Sequence, residues 1–179
     1  MSLPFHTVGH SDRSIDEFIS VLTSAQIGLV VDVRRLPGSR RHPQFDEDSL
    51  RESLGATGIR FERIAELGGR RPVSKEVPFE TNAFWQNRSF HNYADHALSD
   101  EFRSGLDRLL DRGRELRTTV MCSEAVWWRC HRRIIADHLV ARGEAVFHLM
   151  GEGRLQPAEL TTGAVVDGDT VTYSTERER

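Results

Sequence analysis

Long apolar runs, lysine and cysteine are all scarce in this sequence, and each scarcity excludes something. No stretch approaches the ~20 consecutive apolar residues of a membrane-spanning helix, so no membrane association of that kind is expected. The opening MSLPFHTVGH lacks the charged start and apolar run of a secretory signal, and the expected location is cytoplasmic. Two cysteines cannot make a disulfide framework. Cys122 and Cys130 lie eight positions apart on one segment and are expected as free thiols in a reducing compartment. Lys75 is the only lysine among 24 basic residues, so every basic cluster is an arginine cluster. A global bias towards arginine accounts for most of this; guanidinium forks suit phosphate and carboxylate ligands, but a bias spread over the chain locates no site. The net charge of -3 argues against a protein held on nucleic acid by overall electrostatics.

Familiar signatures are missing too. The chain has no Walker loop, no dinucleotide glycine fingerprint and no Cys-x2-Cys pair of the kind structural zinc sites use. A phosphatase-type thiolate loop needs an arginine six positions beyond the cysteine, and that position is Trp128. No cofactor and no metal are therefore expected, although Cys122, Cys130, His131 and His10 remain a partial ligand set.

What is present reads as one domain. The 179 residues suit a single core burying roughly 70% of the unfolded surface, with 38% hydrophobic and 28% charged residues. Helical spacing at Ile15, Phe18, Ile19 and Leu22 follows Ser14, and Ser14 with Glu17 makes a capping box. IGLVVDVRRLP reads as a strand buried on both faces, DEDSLRESLGATG as a helix closed by Gly58, and IRFERI as a strand. From Glu66 to Arg88 the pattern dissolves into a long loop. Two helices meeting near Ser99 follow; LRTTVMC is then a strand, EAVWWRCHRRIIADHLVARG a helix, EAVFHLM a strand, and AVVDGDTVTY a hairpin turning at Asp167 and Gly168. The alternation predicts an α/β fold over residues 1–179: a mostly parallel sheet flanked by helices in three layers, with residues 161–179 a small peripheral C-terminal β-hairpin.

In open sheets of that kind ligands collect beyond the carboxyl ends of the strands. Gly9-His10-Ser11, Asp32-Val33-Arg34 and Cys122-Ser123-Glu124 all fall there. Asp32 and Arg34, two apart in an extended segment, share a face, as a structural ion pair or as part of a ligand site. Gly9 allows a close approach of backbone or ligand beside His10. With a helix expected directly after it, Cys122 would sit at a helix N-terminus, where a thiol pKa falls from ~8.5 towards neutrality; the alternative is a small buried hydrophobe. Glu124 and His131 are the candidate proton carriers, with first-turn charge and core packing as the plain alternatives. Cys130 is expected to pack beside Ile134. Trp127 and Trp128 are expected as core anchors, or as a stacking surface for a base.

TVGHSDRSIDEFISVL, VVDVRRLPGSRRHPQF, ELGGRR, FHNYADH and MCSEAVWWRCHRRIIADHL occur in this order. Together they resemble the bacterial and archaeal family filed as domain of unknown function 488, over Thr7 to about Leu149. The resemblance implies that the blocks at Gly9 to Ser11, Asp32 to Arg41, Gly68 to Arg71 and Cys122 to Arg132 match the family's motifs; it implies no activity. The expected function is an enzyme whose cleft binds an anionic small molecule, nucleotide or nucleic acid. Cys122 would be its thiolate and Glu124 and His131 its proton carriers, with His10, Ser11, Asp32, Arg34, Arg41 and Arg132 binding substrate. A non-catalytic phosphate-ligand or nucleic-acid binding module is the alternative.

Overall fold

The structure is a computed structural model that describes residues 2–38 and 41–174. Ser39 and Arg40 of the arginine-rich loop, and the last five residues of the expected tail, lie outside the described residues. Strands β1 (Phe5–Gly9), β2 (Leu29–Asp32), β3 (Arg60–Arg63), β4 (Thr118–Cys122), β5 (Val146–Gly151) and β6 (Arg154–Pro157) form one sheet in the order β3-β2-β4-β1-β5-β6. Every pairing is parallel except β5 with β6. Helices α1 (Ile15–Ser24), α2 (Glu47–Gly55), α3 (Arg88–His96), α4 (Asp100–Glu115) and α5 (Arg132–Ala141) connect the strands, and β7 (Val165–Asp167) with β8 (Thr170–Thr172) makes the hairpin.

Three layers follow from the two-residue period of the strands. Leu29, Val31 and Val120 turn to one face and join a core with Leu106, Leu109, Ile134, Ile135 and Leu139 of α4 and α5. Val30, Val8 and Met121 turn to the other and meet Phe18 and Leu22 of α1 and Leu50 and Leu54 of α2. The capping box at Ser14 forms as the sequence predicts, Asn87 caps α3, and Ser99 separates α3 from α4 by capping the latter. Gly58 and Gly168 adopt the positive φ their turns require, 83° and 64°. The hairpin's inner residues, Val171 and Tyr173, are fully buried in the larger core, and the Tyr173 hydroxyl donates to Asp137 of α5 at 2.7 Å.

Two elements differ from expectation. β6 was not anticipated: its residues are all exposed, so no alternation marks them, and only the turn glycine Gly153 signals the reversal. More consequentially, the helix expected from Glu124 begins only at Arg132. Residues 123–131 form a loop with a short 3-10 turn at Trp127–Arg129, after which Cys130 is extended at φ -133° and ψ 151°. Trp127 and His131 thus lie outside the helix expected to carry them. Tertiary contacts explain why: Trp127 stacks flat on His148 at 4.5 Å, a pairing that a straight helix from Glu124 would not make.

Candidate functional site

Adjacent strands β1 and β4 send their chains to opposite faces, β1 into α1 and β4 towards α5, so a crevice opens beyond their carboxyl ends. The two strands stay paired one step further, with the amides of His10 and Ser11 donating to the carbonyls of Cys122 and Ser123 at 2.9 and 3.0 Å. The chain then folds tightly over Gly9. A Cβ there would lie 1.7 Å from the Glu124 carbonyl oxygen and 2.9 Å from Arg132 Nη1, so the close approach that Gly9 permits is by backbone and a guanidinium.

The crevice holds two neighbouring hollows sharing Arg34, Leu36, Ser123 and Glu124 as a common wall. The first, of about 380 Å³, exposes Cys122, Cys130 and His131 together with Arg34, Arg35, Arg70 and Arg129. The second, of about 420 Å³, is bounded by His10, Ser11, Arg41 and His42. The expected site residues are therefore divided: Cys122 and His131 line one hollow, His10, Ser11 and Arg41 the other, and Arg34 and Glu124 both. Strand alternation is the cause, since Cys122 points to the α5 side whereas Asp32 and His10 point to the α1 side. Asp32 and Arg132 line neither hollow; both have no exposed surface.

Asp32 holds Arg34 in a two-pronged ion pair, Nε to Oδ1 at 2.9 Å and Nη2 to Oδ2 at 2.8 Å, and Arg34 Nη1 donates to the Phe45 carbonyl at 2.7 Å. His10 stacks on Phe45 at 4.2 Å. Its Nδ1 lies 2.8 Å from the Ser11 carbonyl and its Nε2 3.4 Å from Arg34 Nη1, which assigns the proton to Nδ1 and leaves Nε2 as acceptor. Burial, opposed by the bond to Ser11 and reinforced by the Arg34 charge, lowers the His10 pKa to about 4. At neutral pH it is an uncharged bracket for Arg34.

Around the thiols, the later start of α5 reassigns the helix terminus. Cys130, not Cys122, precedes the first turn: its carbonyl accepts from the Arg133 amide at 3.0 Å and its Sγ from the Arg132 amide at 3.5 Å. Cys130 is thus more than packing beside Ile134. Its sulfur also lies 3.5 Å from His131 Nδ1, while His131 Nε2 donates to the Val33 carbonyl at 2.9 Å. The imidazole is wedged against Gly69, where a Cβ would come within 2.8 Å of the ring, and burial lowers its pKa to about 4. Burial raises the thiol pKa of Cys130, and the Cys122 sulfur beside it raises it further. The pKa of Cys122 moves the other way: burial opposes ionisation, but its side-chain interaction with Cys130 and the Arg132 guanidinium outweigh it. Of the two sulfurs Cys122 is the one poised to ionise. The cause is neighbouring groups, not the helix dipole that the sequence suggested.

Arg132, expected to bind substrate, curls back from the start of α5 into the interior. The side chain has no exposed surface, donates from Nη2 to the Ala125 carbonyl at 3.2 Å, and leaves Nε and Nη1 without a hydrogen-bond partner. Among the described residues no carboxylate pairs with it. A spacing rule that asks for arginine six positions past the cysteine could not find this one, because the guanidinium arrives through a loop and a helix start. Glu124 is exposed, and its carbonyl, not its carboxylate, faces the Cys122 sulfur at 3.6 Å. One face of Trp127 is taken by His148, whereas Trp128 is exposed. Among the described residues no three His, Cys, Asp or Glu side chains are grouped to hold a metal ion, and no helix is long and apolar enough to cross a membrane.

These features define a three-layer α/β protein with two free thiols in a cleft at the ends of its parallel strands. The chain belongs to the family described as domain of unknown function DUF488, whose model matches residues 14–139. That span includes both cysteines, Asp32, Arg34, Arg41, Glu124, His131 and Arg132, and leaves His10 and Ser11 outside it. Neither the curated proteins nor the solved structures provide a match.

Proposed function

We propose that the chain is an enzyme that binds an anionic, phosphate-bearing substrate across the two hollows and attacks it with the Cys122 thiolate. One observation carries this reading: a guanidinium with no exposed surface and no carboxylate partner among the described residues, Arg132, acts on the Cys122 sulfur. A buried ion left without countercharge costs several kcal/mol. The pocket is therefore built around a negative charge, which the thiolate supplies at rest and an incoming oxyanion can share. Arg34, Arg35, Arg70 and Arg129 against the one carboxylate of Glu124 bias the first hollow the same way. In this reading Arg34, aimed by Asp32, orients the substrate between the hollows and Arg41 meets its far end.

A non-catalytic binding module is favoured by a different observation. Neither expected proton carrier serves the Cys122 sulfur: His131 Nδ1 faces Cys130, and Glu124 offers only its carbonyl. Inorganic phosphate and p-nitrophenyl phosphate separate the two readings. The enzyme reading expects phosphate to protect Cys122 from iodoacetamide, p-nitrophenyl phosphate to be turned over, and Cys122→Ser to abolish turnover while keeping phosphate affinity within a few-fold. Phosphate binding without turnover leaves the binding module, and a wild-type chain that binds no phosphate overturns both.

A further inference from the structure

Cys122 and Cys130 are the only cysteines in the sequence, and the loop between them brings both onto the wall of one hollow. We propose that these two residues form a dithiol couple that a hydroperoxide oxidises to a disulfide. The inference rests on Cys122 being the reactive sulfur of the site proposed above.

Access selects the oxidant. Cys122 and Cys130 keep only 3% and 7% of their surface exposed. A small peroxide can enter where a bulky disulfide reagent cannot align with the sulfur. Charge selects the chemistry. Cleaving an O–O bond releases an oxyanion, and Arg34, Arg35, Arg70 and Arg129 line the hollow that exposes both thiols. Backbone freedom allows the product. The segment between the thiols carries one short 3-10 turn, with bonds from Arg129 to Val126 and from Cys130 to Trp127, each 3.2 Å, and is anchored at Ser123 by Ser11, at Ala125 by Arg132 and at Trp127 by His148. No helix has to unwind for the sulfurs to reach bonding distance, about 2.05 Å.

The steps balance. The Cys122 thiolate, its proton already given to solvent, attacks one peroxide oxygen: an S–O bond forms, the O–O bond breaks, and the departing alkoxide or hydroxide takes up a proton from water. Sulfur is oxidised to a sulfenic acid and the peroxide is reduced. Cys130 passes its proton to His131 Nδ1, 3.5 Å away, and attacks the sulfenic sulfur. The S–S bond forms, the S–O bond breaks, and hydroxide leaves with that proton as water. Two thiols and one hydroperoxide thus give one disulfide, one alcohol and one water, or two waters from hydrogen peroxide. Oxidation also removes the nucleophile and the countercharge of Arg132, so the same step switches the proposed substrate chemistry off.

The test uses the reduced full chain, treated with equimolar hydrogen peroxide, alkylated in denaturant and mapped by mass spectrometry. The two thiols are expected to disappear together as a linked peptide pair and to return with dithiothreitol. Cys130→Ser should stop at a dimedone-trappable sulfenic acid on Cys122, and Cys122→Ser should be oxidised at least ten-fold more slowly, because burial holds the remaining Cys130 thiol protonated. Iodoacetamide on the folded chain, without peroxide, reads the thiolate independently. If Cys122 alkylates fast yet peroxide leaves both thiols free, or drives Cys122 to sulfinic acid with Cys130 untouched, the couple is refuted and the thiolate stands. Slow alkylation of Cys122 overturns both.

Discussion

Replacing Arg132 with methionine should remove part of the pH dependence that the Cys122 thiol gives to the protein's stability. The wild-type side chain is fully buried and has one hydrogen bond, to the Ala125 carbonyl. Such a bond to a charged group contributes about 1.5–3 kcal/mol, while burying the ion costs several. The thiolate of Cys122 is the countercharge that closes the difference. Folding lowers the Cys122 pKa below the ordinary 9.0 of a free thiol. Between those two values the unfolded chain binds more protons, so wild-type stability rises with pH there. The ion-pair contribution is complete above the unfolded value and is lost as pH falls through the folded one. Arg132→Met removes one cause of the shift, the side-chain interaction with Cys130 being the larger one that lowers it, and hence part of the slope. The stability of wild type relative to Arg132→Met should therefore grow by up to about 1.4 kcal/mol per pH unit within that window. At its acid end methionine, similar in length and uncharged, should equal or exceed arginine. Urea unfolding of both chains from about pH 7 to about pH 9 measures this, since groups away from Arg132 cancel in the difference and His131 and His148, whose pKa Arg132 also lowers, titrate below that range. Putting both on a Cys122→Ser background should flatten the difference. Parallel curves for wild type and Arg132→Met would mean that Arg132 does not answer to the thiolate, and the argument for a built anionic centre would fall with them.

Gly9→Ala places a methyl group 1.7 Å from the Glu124 carbonyl oxygen. The clash is with backbone, so the cost should exceed the about 1–3 kcal/mol of ordinary overpacking, and alkylation of Cys122 should slow as residues 123 and 124 are displaced; an unchanged melting temperature would contradict the close crossing. Asp32→Asn keeps the shape but strips Arg34, 5% exposed, of the one carboxylate that pairs with it among the described residues. A loss of about 3–5 kcal/mol is expected in urea unfolding, together with weaker phosphate protection of Cys122, and a loss below about 1 kcal/mol would show Arg34 to be solvated. Acid should unfold the protein early. Burial depresses the pKa of His6, His10 and His131 to about 4 and of His138 and His148 to about 3, from 6.5. The unfolded chain therefore takes up more protons below 6.5, and each such histidine withdraws up to about 1.4 kcal/mol per pH unit as pH falls towards its folded value. Circular dichroism should show unfolding above pH 4, and a fold intact at pH 3 would disprove the buried neutral imidazoles.

Local chemistry alone determined much of this molecule. The Ser14 capping box, the apolar run at Val30 and Val31, the Ser99 cap and the glycine turns at Gly58 and Gly168 are decided by residues within a few positions of each other, so each was legible in the sequence and together they specified a three-layer α/β sheet. Proximity of the site residues to strand ends was legible for the same reason. What the chain does between Cys122 and Arg132 was not. Amphipathic spacing suggested a helix, but Trp127 gains a stacked face on His148, and Cys130 gains the Arg132 amide and a neighbouring sulfur. His148 and Cys122 belong to other strands of the sheet, so a periodicity argument cannot register them. The same holds for Arg132, whose burial beneath Gly9 depends on β1 and β4 lying side by side although more than a hundred residues separate them. Sequence patterns report which face a residue can turn to its own element. Which sulfur ionises, and which guanidinium stands beside it, is decided by long-range contacts that form only once the sheet is assembled.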